Sequence, residues 1–276
     1  DLAGAVIDIL PAQDQWALNT LTWSPDSHHL AIARLSNDYC CKELSVYSLD
    51  HQAQVTLWVD TDEKWVDHTI HASYDVAWSH QGQQIAFLSN RSGWRHLYIA
   101  SLVSGQVQQI TAGEYETSWC SWSPDDTLLA YVSSQDELQA RALWLVESDG
   151  SRPRPLLKGG LVTGGWFLRQ TNLEWSPDGK RIACIQSGSE QMPVLKVVDV
   201  FLSETVQVAY SSLPEEAGED FTMKIEPVHF PAADGLELRA ALLTAPTLDR
   251  DKRNPALLFA YGAWDMEAQL GWEYGP

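Results

Sequence analysis

The chain has 276 residues, 45% of them hydrophobic and 20% charged, a balance that supports one large or two ordinary globular domains. With 37 Asp and Glu against 18 Lys and Arg, the formal charge of −19 repels phosphate backbones and anionic lipid surfaces, which argues against nucleic acid as a partner. A solvated acidic surface is the ordinary reading of that excess and a bound cation the other, and no apolar run approaches the roughly 18 to 20 residues a membrane-crossing helix needs.

The sequence opens on Asp1, and residues 1–10 lack the basic-then-apolar layout of a signal peptide, so either a leader has been removed or the N-terminus lies upstream. Ala5 to Leu10 reads as one strand of a further repeat. Four copies of a short motif then follow: Leu21-Thr-Trp-Ser-Pro-Asp26, Val76-Ala-Trp-Ser-His80, Cys120-Ser-Trp-Ser-Pro-Asp125 and Leu173-Glu-Trp-Ser-Pro-Asp-Gly179. Their tryptophans, Trp23, Trp78, Trp122 and Trp175, are 55, 44 and 53 residues apart, the length of a four-stranded propeller blade. Proline presets φ, Asp and Gly make the turn, and the apolar run after each motif is a buried strand. Those runs are Leu30–Ala33, Gln84–Leu88, Leu128–Val132 and Arg181–Ile185. Further strands follow in step: His96–Leu102 and Val107–Ile110, Ala142–Val146 and Pro155–Leu157, then Val194–Val200 and Val206–Tyr210. Alternation of period two, with almost no helical period up to Tyr210, predicts a mainly β fold: a β-propeller of about four Trp-Ser-Pro-Asp blades, WD40-like or TolB-like. The motif tryptophan is expected to pack between blades.

Residues 1–212 are therefore expected to be a partial propeller. The acidic stretch Pro214–Asp220 marks a linker over 213–226, and a different pattern occupies 227–276. There, Pro227–Phe230, an Ala233-Asp-Gly235 turn and the alternating Leu236–Leu242 predict a hairpin with one buried face. Pro255–Gly262 reads as a strand buried on both faces. The four cysteines, Cys40, Cys41, Cys120 and Cys184, have no paired spacing and are expected to be small buried apolar residues rather than a zinc site or disulfide framework.

The pattern from Pro227 to Gly262 resembles the start of the catalytic domain in the prolyl oligopeptidase family of serine peptidases, where a β-propeller stands beside an α/β-hydrolase domain. Ser89-Asn-Arg-Ser-Gly-Trp-Arg-His-Leu-Tyr98, Gln109-Ile-Thr-Ala-Gly-Glu-Tyr115 and Trp65-Val66 resemble the dipeptidyl-peptidase IV-like branch, with an acylaminoacyl-peptidase-like enzyme as the neighbouring alternative. The resemblance implies that residues 227–276 are the first strands of an incomplete α/β-hydrolase domain. It implies a peptide substrate cut by a Ser-His-Asp acyl-enzyme route, with the propeller gating access. Two departures stand out. Tyr261-Gly262-Ala263-Trp264 replaces the usual Tyr-Gly-Gly-Pro-like turn, and no Gly-x-Ser-x-Gly elbow occurs, so this stretch alone is expected to be inactive. The Trp-Ser-Pro-Asp repeats by themselves are equally like TolB-type propellers, which keeps a non-catalytic peptide- or protein-binding module as the rival reading.

By the same resemblance Tyr261 matches a phenol that stabilises the oxyanion, against a strand-end tyrosine packed at an interface. His96, inside a strand, reads as a hydrogen-bonded core residue rather than a catalyst. His28-His29 and His68-Thr-Ile-His71 lack a third ligand at fixed spacing, so neither a metal nor any cofactor is expected. Asn90-Arg-Ser92 is a formal glycosylation sequon. The acidic pair that clamps a substrate amine in the dipeptidyl branch has no convincing match, since Glu215-Glu216 lies in the linker and Asp136-Glu137 in a blade turn. Compartment is open, and a homo-oligomer is compatible with the sequence.

Overall fold

Each Trp-Ser motif ends one strand and turns into the next, and this hairpin forms half of a four-stranded antiparallel sheet. The computed structural model describes residues 16–66, 76–136, 141–159, 161–162, 173–188, 191–202, 205–210, 224–245 and 247–258, and contains no helix among them. The first blade runs β1 (Trp16–Trp23), β2 (His29–Ser36), β3 (Cys41–Ser48) and β4 (Ala53–Thr61) in sequential order. The second repeats this with β5 (Val76–Trp78), β6 (Gln84–Ser89), β7 (His96–Ser101) and β8 (Val107–Gln109). The third holds β9 (Thr117–Trp122), β10 (Leu128–Ser133), β11 (Ala142–Glu147) and β12 (Arg154–Leu157). In the fourth, two short pieces, β13 (Leu161–Val162) and β14 (Glu174–Trp175), share the first-strand position beside β15 (Arg181–Gly188), followed by β16 (Gln191–Asp199) and β17 (Thr205–Tyr210). These are the four predicted propeller blades.

The turns share one construction. The motif serine receives the N–H that opens the next strand: His29 N on Ser24 Oγ, Leu128 N on Ser123 Oγ and Arg181 N on Ser176 Oγ, each at 2.9 Å. Each of these hydroxyls donates to the aspartate two residues on, at 2.5 Å (Asp26), 2.7 Å (Asp125) and 2.6 Å (Asp178). The serine hydroxyls, helped by backbone N–H groups, hold all three carboxyls below the usual carboxylate value. The fourth turn position is left-handed throughout, with φ of 63° at Ser27, 70° at Gly82, 59° at Asp126 and 68° at Gly179.

Successive turns also touch. A Cβ added to Gly82 would lie 3.7 Å from Pro25, and one added to Gly179 would lie 3.6 Å from Pro124, so in the second and fourth blades the fourth turn position rests on the proline of the turn before. The second blade has His80 where the others have proline, and the extra backbone N–H is used. It donates to Asp126 Oδ1 of the third turn at 2.7 Å, while Gln81 N donates to Asp126 Oδ2 at 2.9 Å.

Blades join through their motif tryptophans. Trp78 Nε1 donates to Thr22 O at 3.1 Å, Trp122 Nε1 to Ala77 O at 3.0 Å and Trp175 Nε1 to Ser121 O at 3.3 Å. In every case the acceptor is the residue before the preceding blade's tryptophan. Side chains alternating along the second and third strands form the clusters beneath these bonds. Ala31, Ala33, Leu44 and Val46 of the first blade meet Ile85, Phe87, Tyr98 and Ala100 of the second. The next seam sets Ala86, Leu88, Leu97 and Ile99 against Leu129, Tyr131, Trp144 and Val146. In the third, Ala130, Val132, Leu143 and Leu145 face Ile182, Cys184 and Val198. Trp23 has no described blade before it and is 55% exposed.

Beyond the propeller, β18 (Lys224–Pro231) and β19 (Glu237–Thr244) form the expected hairpin, turning through Gly235 at φ 88°. Three expectations are corrected. The hairpin has no buried face among the described residues: Phe230, Leu238 and Leu242 are exposed, because burying a sheet face needs a second layer and none is described against it. Pro255–Leu258 is irregular, with Leu257 and Leu258 almost fully exposed, because the described residues offer that apolar run no flanking strand; residues 259–262 lie outside them. Among the cysteines only Cys184 is buried, its thiol pushed up to about 11 by desolvation; Cys40, Cys41 and Cys120 are half-buried, and none of the four is in a disulfide.

The seam hydrogen bond gives a direct test. Trp122→Phe removes the donor and with it the seam bond to Ala77 O, which still faces Ala86 in its own sheet, so the urea midpoint should fall by the equivalent of about 0.5–1.5 kcal/mol with an unchanged m-value.

Candidate functional site

Strand directions give the propeller two different rims. Hairpins between first and second strands, and between third and fourth, share one rim, tied by bonds such as Leu49 N to His28 O and Leu102 N to Gln83 O, each 2.9 Å. The opposite rim carries the second-to-third hairpins and the blade-to-blade connections. On it the Ser89–Arg95 hairpin of the second blade reaches both neighbours.

Toward the first blade, Arg91 lies over the Trp58 ring, its guanidinium carbon 3.6 Å from the ring centre. Arg91 Nε donates to Asp60 Oδ1 at 3.2 Å, a second guanidinium nitrogen donates to Val59 O, and Trp58 Nε1 donates to the same Asp60 oxygen at 2.9 Å. Asp60 is thus a buried carboxylate held by two donors, while the arginine remains 44% exposed on the rim. Trp58 in turn packs on Phe87 and Tyr98, with ring centres 5.4 and 5.2 Å away. A narrow crevice between the two blades is lined by Ala33, Glu43, Leu44, Trp58, Asp60 and Phe87. Toward the third blade, Arg95 N donates to Glu116 Oε2 at 3.1 Å and Arg95 Nε to Thr117 O at 3.1 Å. Glu116 N is bound to Ser134 Oγ at 3.0 Å.

His96 follows directly and is 2% exposed. Its ring nitrogens bond Thr111 Oγ1 at 3.1 Å and Gly113 O at 3.0 Å, and Tyr115 stands edge-on to it at 5.1 Å. The histidine therefore fastens the Thr111–Glu116 connection, the hydrogen-bonded core role read from its strand position.

The other candidates are dispersed. His28 Nδ1 pairs with Asp50 at 2.9 Å on the Ser-Pro-Asp rim, and His29 stands 3.8 Å from Asp26. Among the described residues no three His, Cys, Asp or Glu side chains stand together as a metal site. Asn90 begins the hairpin turn, its carbonyl accepting Gly93 N at 2.9 Å. Asp136 pairs with Lys158 at 3.2 Å. Tyr261, His68, His71, Glu137, Glu215 and Glu216 lie outside the described residues. Sequence reasoning missed the Arg91–Trp58–Asp60 unit; its one local signal is Trp58 and Asp60 two apart on a strand, which puts both side chains on one face.

Comparison with known proteins gives a consistent answer. Residues 6–160 match the model of the dipeptidyl peptidase IV N-terminal region. A protein named probable dipeptidyl peptidase 4 from Aspergillus flavus is 25% identical over 158 residues, covering 55% of this chain and 20% of that protein. Dipeptidyl peptidase 4 of Porphyromonas gingivalis superposes with a TM-score of 0.69 at 15% identity, over 87% of this chain and 33% of its own. TolB from Acinetobacter baumannii superposes less well, with a TM-score of 0.50 at 14% identity, over 86% of this chain and 56% of its own. The chain thus spans a fifth of the curated relative and a third of the similar peptidase structure.

Two glycines of this rim separate strain from contact. Gly93 (φ 98°) has nothing within 4 Å of an added Cβ, whereas Gly113 (φ 144°) would place one 2.5 Å from the Tyr115 ring. Gly93→Ala should cost about 1 kcal/mol and Gly113→Ala about 2 kcal/mol or more, read as denaturation midpoints; equal costs would show that the ring contact contributes nothing.

Proposed function

The chain belongs to the family of dipeptidyl peptidase IV N-terminal regions, and from that premise we propose that it is the propeller part of a serine peptidase acting on short peptides, with residues 227–276 forming the start of its catalytic domain. The family match over more than half of the chain carries this reading. Chain direction supports it. β17 is a fourth strand, and fourth strands end on the rim of Arg91, Arg95 and His96, so the polypeptide leaves the propeller for residues 213–276 on the rim with the blade-to-blade connections. In this division 1–212 is the propeller, 213–226 the linker and 227–276 the hydrolase portion. The propeller's role is to admit and orient peptides, and the nucleophile lies outside these 276 residues. Tyr261 is assigned as a hydroxyl donor to the developing oxyanion, where such a donor acts more strongly on the transition state than on bound substrate.

The deciding experiment uses the full-length gene product, probed with a serine-directed phosphonate and with X-Pro and acyl-peptide reporters. A labelled serine outside this stretch, with release of dipeptides, supports the proposal and assigns the branch. Absence of any reactive serine overturns it and leaves a TolB-like binding propeller. In the active product Tyr261→Phe should lower kcat by about 10² with little change in KM; an unchanged kcat would return Tyr261 to a packing role.

A further inference from the structure

The bonds around His96 fix the tautomer of its neutral ring. Gly113 O, 3.0 Å from Nε2, can only accept, so Nε2 carries the ring hydrogen and Nδ1 is the acceptor of a neutral imidazole. Nδ1 then takes the hydroxyl hydrogen of Thr111 at 3.1 Å. Thr111 Oγ1 accepts Leu97 N at 2.9 Å and stands 3.3 Å from Thr117 Oγ1, whose hydroxyl must be the donor because the hydrogen of Thr111 is committed to His96. One neutral ring thus orders both ends of the connection between the second and third blades.

A second proton on this ring reverses that network: Nδ1–H takes Thr111 Oγ1 as its acceptor, and the Thr111 hydroxyl turns away from the ring toward Thr117. The cation would also lack a counter-charge. Of the groups around it, Arg95 and Glu116 are engaged with each other at 3.8 Å, and Glu114 is exposed on the connection. Tyr115 presents a ring edge, burial raises its hydroxyl and that of Tyr131 behind it above the usual phenol value, and β6 offers the uncharged Ser89 opposite.

We propose that His96 is a pH-operated latch: neutral, it holds Thr111–Thr117 closed against the second blade, and protonated, it releases that segment while the blades stay folded. Desolvation pushes the ring below its ordinary value of 6.5, with the Gly113 carbonyl opposing that shift. The sign follows. Stabilisation from the neutral ring is complete above pH 6.5 and is lost as pH falls from there toward the lower folded-state value. Release also frees Glu116 from Arg95, loosening the rim on which the chain leaves the propeller. The inference does not depend on the peptidase reading.

Hydrogen–deuterium exchange on this chain, expressed as protection factors at about pH 7 and about pH 5, tests it. Protection across Thr111–Thr117 should fall about tenfold at the lower pH, while Leu129–Val132 keeps its protection. His96→Gln, which retains a donor and an acceptor but cannot ionise, should be equally protected at both. Unchanged protection in the wild type, parallel loss in the third-blade core, or an acid response that persists in His96→Gln would each overturn the latch. Should that variant not fold, nitrogen NMR of the wild-type imidazole decides: an Nε2–H ring whose protonation coincides with loop exchange upholds the proposal, and an Nδ1–H ring or non-coincident titration defeats it.

Discussion

One indole N–H, repeated, holds the blades in order. Trp78, Trp122 and Trp175 each bond the carbonyl one residue before the equivalent tryptophan of the preceding blade, so each bond fixes the spacing of the inner strands and the register of one sheet against the next. The bond itself contributes about 1 kcal/mol. Its larger effect is geometric: with the inner strands set, residues alternating along the second and third strands are delivered alternately to the blade before and the blade behind. Ala130 and Val132 face one way and Leu129 and Tyr131 the other, and all four are completely buried. A blade is therefore an incomplete unit whose two apolar faces are finished by its neighbours.

What could be read from the amino-acid order follows from the range of the interactions. The Ser-Pro-Asp turn is settled within six residues, since the Ser24 and Asp26 side chains bond within the span Ser24–His29, and its spelling was legible three times, with Ser79-His80 as a variant. Strands adjoining those turns were legible for the same reason. The rim was not, because Arg91 finds Asp60 and Trp58 more than thirty residues back, and no local pattern states that pairing. His96 falls between. Its strand position marked it as a core residue, but the identity of its partners depends on a connection that curls back through Thr111 and Gly113. The apolar run at Pro255 misled because hydrophobicity reports what a segment would gain by burial, and the covering layer is a separate matter.

The rim carrying the connections is also the better braced. Arg91 stretches from the second blade across the first and Arg95 toward the third, so the hairpin bearing both binds three consecutive blades. The Arg91 guanidinium covers the Val59 carbonyl near the end of β4, blocking part of an outer edge that runs nine residues.

The contact between successive turns ties distant positions into pairs. Pro25 supports Gly82 and Pro124 supports Gly179, but where the second blade has His80, its free N–H meets the carboxylate of Asp126. The second position of one repeat and the fourth position of the next therefore cannot drift independently. Loss of a proline creates a donor that an acid one repeat later must accept, and regaining the proline strands that acid. Among descendants of this sequence such changes should be inherited as couples 46 to 57 residues apart, a covariation that a reader comparing single columns would mistake for two unrelated substitutions.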